Sequence, residues 1–193
     1  MPINIPNLLT WQRMLAIPLL VAAYLLPWDG LTLQTRNQIA TALFVLAAIT
    51  DWVDGWLARR LGQQTAFGAF LDPVADKLLV CVALVMLLDL GRVTAVVAAI
   101  IIGREIAISA LREWMATIGA RRSVAVSHVG KLKTVAQLVA IPLLLYHDSL
   151  FGWLNTQQIG TWLIWIATIL TLWSMGYYLR QAWPQLSKQA PGA

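Results

Sequence analysis

The chain has 193 residues and only nine acidic side chains, and four of the nine fall between Asp51 and Asp76. Their spacing is regular: Asp51-x2-Asp54-Gly55-x2-Ala58-Arg59, then eight residues, then Gly68-x3-Asp72-x3-Asp76. At about 100° per residue, positions 51, 54, 55 and 58 share one face of a helix, and positions 68, 72 and 76 share a face of the next. The connection near Leu61–Thr65 is short, so the two helices are expected to be antiparallel neighbours whose carboxylates converge at one depth. Carboxylates in one pocket repel each other strongly unless cations neutralise them. An all-oxygen donor set suits Mg²⁺, Mn²⁺ or Ca²⁺. Two such ions sharing carboxylates suit phosphoryl-type transfer.

The residues between the acids are consistent with that chemistry. Gly55, Ala58 and Gly68 leave room on the acidic faces, for a ligand or for close helix packing. Pro73 removes one backbone hydrogen bond and is expected to kink the third helix beside the acids. A purely structural reading would pair the acids with Arg59, Arg60 and Lys77. Four acids at helical spacing on adjacent apolar helices argue against it, because ionised groups there are costly and mark function. Cys81 lies in an apolar stretch and reads as a buried, inert thiol. As the chain's single cysteine it excludes an internal disulfide framework.

The elements that carry these residues follow from composition. Hydrophobic residues make up 59% of the chain and charged residues 12%, which excludes both a soluble globular domain and a disordered tail. Six apolar stretches are expected to be helices: about Leu8–Leu26, Gln38–Leu61, Phe67–Leu88, Val93–Ile118, Val124–Tyr146 and Ile159–Tyr178. Each is close to the ~20 residues that a helix needs to cross a bilayer. The expected fold is therefore all-α, a polytopic membrane protein with six transmembrane helices. It forms a single domain over residues 1–183, followed by a short polar tail, 184–193, that frays. Arg59, Arg60, Arg121, Arg122, Arg180 and Lys188 would lie on one side, with only Arg36 and Arg92 on the other, which places both termini in the cytoplasm. Met1–Asn7 carries no Lys or Arg, so the first helix is expected to remain attached rather than serve as a signal peptide. Trp28, Trp153 and Trp162 lie near predicted helix ends, where interfacial anchors belong. His128 and His147 read as surface or packing residues, and Gln137 as a bridge between helices.

The pattern D-x2-D-G-x2-A-R-x8-G-x3-D-x3-D is complete and resembles the signature of the CDP-alcohol phosphotransferases. The flanks resemble one branch of that family, the bacterial phosphatidylglycerophosphate synthases: Asn4-Ile5-Pro6-Asn7-Leu8-Leu9-Thr10 with Arg13, the segment Phe67–Lys77, Arg104-Glu105, Ser109–Trp114, and Gly130–Thr134. The resemblance covers Asn4 to about Tyr178. It implies a homodimeric enzyme of the bacterial cytoplasmic (inner) membrane, with its site facing the cytoplasm. That enzyme would transfer the phosphatidyl group of CDP-diacylglycerol to sn-glycerol 3-phosphate, releasing CMP. By the same resemblance Asp51, Asp54, Asp72 and Asp76 hold two divalent metal ions, Mg²⁺ or Mn²⁺, and Asp76 is also the general base. Gly55, Ala58, Arg59 and Thr65 would line the CDP-diacylglycerol site, with Asn7, Thr10 and Arg13 as contributors.

An acceptor carrying its own phosphate needs a basic pocket, and Arg104, Arg112, Lys131 and Lys133 are the candidates for the glycerol phosphate. The alternative for each is a snorkelling anchor that touches anionic lipid. Lys131 and Lys133 point about 200° apart on a helix, so both reach one ligand only if the helix begins near them. Other acceptors fit the same signature, including serine and inositol phosphate, although the basic set favours a phosphorylated one. A divalent-cation transporter is a reading of a different class. It predicts a polar path to the far side, where these helices are almost wholly apolar.

Overall fold

The computed structural model describes residues 5–27, 30–61, 66–119, 128–150 and 152–188. The side chains of residues 5–9, 54–59, 61, 66, 67, 69, 128–131 and 184–188 lie outside that description. The described chain holds α1 (Ile5–Leu25), α2 (Leu33–Leu61), α3 (Ala66–Asp89), α4 (Ala95–Thr117), α5 (His128–Tyr146), β1 (Ser149–Leu150), β2 (Leu154–Asn155) and α6 (Thr156–Lys188). The all-α expectation holds apart from a short antiparallel hairpin, in which Ser149 pairs with Asn155 and Leu150 with Leu154. Among the described residues one helix, over Thr156–Trp183, is long and apolar enough by itself to cross a membrane.

Among the helices that start earlier than hydropathy predicts, α2 and α6 carry side-chain caps that explain it. Thr32 accepts the Thr35 amide at 3.2 Å, so the polar turn Gln34-Thr35-Arg36 becomes the first turn of α2. Asn155 Oδ1 accepts the Gln158 amide at 3.1 Å and does the same for Thr156-Gln157-Gln158 of α6. At its other end α6 runs past Tyr178 to Lys188, into the stretch expected to fray. Pro73 lies inside α3, which is helical from Ala66 to Asp89. Cys81 is half-buried, not enclosed as expected.

Contacts divide the chain into two compact units: residues 1–93 with 140–161, and residues 94–139 with 162–193. In the first unit α1 packs along both α2 and α3, and α2 touches α3. The three helices share one device, a large residue flanked by alanines on the buried face. The sets are Ala16, Leu20 and Ala23 on α1; Ala40, Phe44 and Ala47 on α2; and Ala75, Leu79 and Ala83 on α3. Spacings of three and four keep each set on one stripe, and the alanines let the backbones approach.

The end of this unit is stitched through Arg92. Gly91 takes a positive φ of 67°, its amide bonds Leu88 O at 3.0 Å, and the Arg92 amide bonds Leu87 O at 2.8 Å. That left-handed cap turns the chain and presents Arg92. Its guanidinium donates to Leu144 O at 3.1 Å, Leu145 O at 2.7 Å and Asn37 Oδ1 at 2.8 Å. The last carbonyls of α5, which have no partner within the helix, are thereby satisfied. Burial, followed by the Arg92 charge, pushes the His147 imidazole below its ordinary pKa, with Asp148 opposing. His147 is accordingly neutral near pH 7.

α6 begins against α5 with no room to spare. A Cβ on Gly160 would lie 2.8 Å from Leu144 Cγ and 3.2 Å from its backbone nitrogen. Gly160→Ala is therefore expected to lower stability by about 1–3 kcal/mol through overpacking. A thermal unfolding curve of the purified variant in detergent checks this, and an unchanged Tm would contradict it.

Candidate active site

Three of the four signature carboxylates meet donors from α1. Thr10 and Arg13 are three residues apart, which puts both on one face of α1, and both are buried. The Thr10 hydroxyl donates to Asp72 Oδ1 at 2.6 Å. Arg13 Nη1 lies 2.7 Å from Asp51 Oδ1 and 3.7 Å from Asp76 Oδ1. The packing of α1 on α2 and α3 is what makes this possible, because Asp51 comes from α2 and Asp72 and Asp76 from α3. Among the described residues, Arg13 is a cation that the structure places among these acids, a partner that the purely structural reading with Arg59, Arg60 and Lys77 did not include.

The remaining expected members are placed less fully. Asp54, Gly55, Ala58 and Arg59 lie on α2 and Asn7 on α1, but their side chains are outside the described residues. Thr65 lies outside them altogether. Gly68 is buried in α3.

The donor set suits a hard divalent cation. Among the described residues no three His, Cys, Asp or Glu side chains close up into a metal-holding group by themselves. However, every acidic donor gathered on α1 is a carboxylate. The side chains of Asp51 and Asp76 are 39% and 54% exposed, so an ion can reach them. Asp51, Asp72 and Asp76 outweigh Arg13 by two negative charges, which equals the charge of one divalent ion.

A second constellation occupies the other unit. Arg104 and Lys133 are buried, and both pair with Glu105 Oε1: Arg104 Nη1 at 2.8 Å, and Lys133 Nζ by a direct ion pair. Arg104 Nη2 also donates to Ser174 Oγ at 3.1 Å, and Arg112 Nη2 donates to the Tyr178 hydroxyl at 3.2 Å. The guanidinium carbons of Arg112 and Arg104 lie 5.1 Å and 5.9 Å from the Tyr178 ring centroid. Among the described residues, the buried Nε atoms of Arg104 and Arg112 have no hydrogen-bond partner. Three of the four expected basic residues are therefore brought together. Lys131 lies in the first turn of α5, with its side chain outside the description. Gln137 is buried in α5, and its Nε2 has no hydrogen-bond partner among the described residues.

Ser174 and Tyr178 are absent from the sequence reading. The signal for them is a polar stripe in an apolar helix. Thr171, Ser174 and Tyr178 are three and four residues apart on α6, and all three are buried.

Residues 3–173 match the family described as CDP-alcohol phosphatidyltransferase, and the chain belongs to that family. It is similar to curated proteins named CDP-diacylglycerol–glycerol-3-phosphate 3-phosphatidyltransferase. The protein of that name from Escherichia coli (strain K12) is 49% identical over 192 residues, 98% of this chain and all of the relative. That from Shigella flexneri serotype 5b is 49% identical over the same shares. That from Salmonella choleraesuis is 48% identical over 184 residues, 94% of this chain and 96% of the relative.

Proposed function

We propose that the chain transfers the phosphatidyl group of CDP-diacylglycerol to sn-glycerol 3-phosphate, giving phosphatidylglycerophosphate and CMP. The observation that carries this reading is the gathering of Asp51, Asp72 and Asp76 on Thr10 and Arg13, in a member of a family whose relatives bear that activity in their names. Asp51, Asp54, Asp72 and Asp76 would hold two divalent ions, Mg²⁺ or Mn²⁺, which when bound offset the pyrophosphate charge and polarise the phosphatidyl phosphorus. Arg59 and Arg13 add charge-assisted donors for the same phosphates, and Asn7, Thr10, Gly55, Ala58 and Thr65 complete the CDP site.

The chemistry then needs one base. Asp76 takes the proton from the C1 hydroxyl of the acceptor as that oxygen bonds the phosphatidyl phosphorus. The phosphoanhydride bond to CMP breaks in the same in-line displacement, and CMP leaves with the bonding electrons. No covalent enzyme intermediate is required, because no described Ser–His or Cys–His pair offers a nucleophile.

Arg104, Arg112 and Lys133, with Lys131, bind the acceptor phosphate. The three described cations outnumber Glu105 by two charges, which matches a phosphate monoester near its dianionic form at neutral pH. The two unpartnered Nε donors also call for acceptor oxygens. The same reading makes the chain a homodimer of the bacterial cytoplasmic membrane. Six helices span the bilayer, both termini are cytoplasmic, and residues 1–183 form one catalytic domain. The apolar span Thr156–Trp183 supports this, as do the outward-facing Trp153, Trp162, Trp173 and Trp183.

An acceptor panel tests the assignment. Purified protein in lipid–detergent micelles with CDP-diacylglycerol and Mg²⁺ is expected to release CMP with glycerol 3-phosphate, and not with serine, inositol phosphate or no acceptor. Release that follows another alcohol would replace the substrate while keeping the site.

A further inference from the structure

We infer that Tyr178 is a positioning residue for the acceptor phosphate, holding Arg104 and Arg112 in place without cancelling their charge; this rests on the reading of the basic constellation as the acceptor pocket. The ring is completely buried, and both guanidiniums lie within cation–π range of it. Arg104 and Arg112 sit eight residues apart on α4, about two turns, so a single side chain from α6 ties together two levels of that helix. Its hydroxyl accepts a hydrogen bond from Arg112 Nη2, and Ser174, one turn earlier on α6, accepts one from Arg104 Nη2. Both α6 groups that accept from these cations, Ser174 and Tyr178, are thus neutral.

That neutrality has a chemical consequence. A carboxylate in place of Tyr178 would hold the same two cations more tightly and would neutralise one of them. Glu105 already does this for Arg104 and Lys133. A second acid would remove the excess positive charge that a dianionic phosphate requires. An aromatic ring attracts cations through its quadrupole and leaves their net charge intact. It also leaves both Nε donors unused, and these are the groups an incoming phosphate would engage.

Steady-state kinetics of the full chain in lipid–detergent micelles test the inference, with both substrates varied and folding followed by size exclusion and thermal unfolding. Tyr178→Phe keeps the ring and loses only the hydroxyl, so the KM for glycerol 3-phosphate is expected to rise about threefold. Tyr178→Leu loses both contacts, and a rise of about tenfold is expected. In each variant the KM for CDP-diacylglycerol should stay within about twofold of wild type, as expected when only acceptor binding is weakened. Arg112→Ala is the arm that tests the underlying reading. If it leaves the acceptor KM unmoved, the pocket assignment fails, and the inference with it. If Arg112→Ala raises that KM while the folded Tyr178 variants do not, the inference alone is overturned. A parallel loss of affinity for both substrates would also overturn it, by showing a structural role only. If Tyr178→Leu does not fold, Tyr178→Phe decides.

Discussion

Asp76→Asn is expected to lower turnover by about a thousandfold while the chain remains folded, because it removes the proposed proton acceptor. The amide has the shape of the carboxylate but cannot take the hydroxyl proton. It also removes one negative oxygen from the metal-holding set, which adds to the loss. The side chain of Asp76 is 54% exposed, and the buried Arg13 keeps Asp51 at 2.7 Å, so the substitution leaves the Arg13 charge paired. Thermal unfolding should therefore move by less than about 1 kcal/mol. CMP release at saturating substrates, measured beside the unfolding curve, checks both halves. Retention of even a tenth of the wild-type rate would move the base elsewhere.

Arg13→Ala should act on stability first. Arg13 is completely buried, and its guanidinium stands between Asp51 at 2.7 Å and Asp76 at 3.7 Å. Its loss removes the guanidinium from between the acids of α2 and α3 and opens a hole in the packing of α1. Removing one partner of a buried ion pair costs about 3–5 kcal/mol. The carboxylates here are partly solvated, so the lower end, about 3 kcal/mol, is expected. The variant should also acquire a new dependence on divalent ions. Millimolar Mg²⁺ should raise its Tm more than it raises that of the wild type, because the ion supplies the missing charge. Unfolding curves with and without Mg²⁺ decide this. A variant as stable as wild type in chelator would show that Arg13 does not balance the acids.

How much of this arrangement is visible before the fold depends on whether periodicity alone carries it. The acids of α2 and α3 are legible because residues three and four apart on a helix must share a face, whatever lies opposite. Their donors are not. Thr10 and Arg13 lie some sixty residues before Asp72 and Asp76, and only the packing of α1 on α3 brings them together. The resemblance names them, but as CDP contacts rather than as partners of the acids. Arg104 and Lys133 read as basic residues in apolar helices, yet nothing in their spacing reveals that one Glu105 oxygen joins them. Tyr178 is hidden for a different reason: an aromatic in an apolar helix reads as an interfacial anchor, and only burial distinguishes it. The starts of α2 and α6 escape a hydropathy reading because Thr32 and Asn155 turn polar residues into helix. The hairpin's paired segments are too short for a period of two to show.

The carboxylates of α2 and α3 are proposed to form a divalent-metal centre for phosphatidyl transfer. The most direct measurement is a Mn²⁺ titration of the purified protein followed by electron paramagnetic resonance, run beside a folded Asp51→Asn/Asp72→Asn double variant. Wild type should bind Mn²⁺ at two sites per chain, and the double variant should lose that binding together with CMP release. Equal Mn²⁺ binding by both proteins would contradict the account, because the metal would then lie away from the acids that α1 gathers.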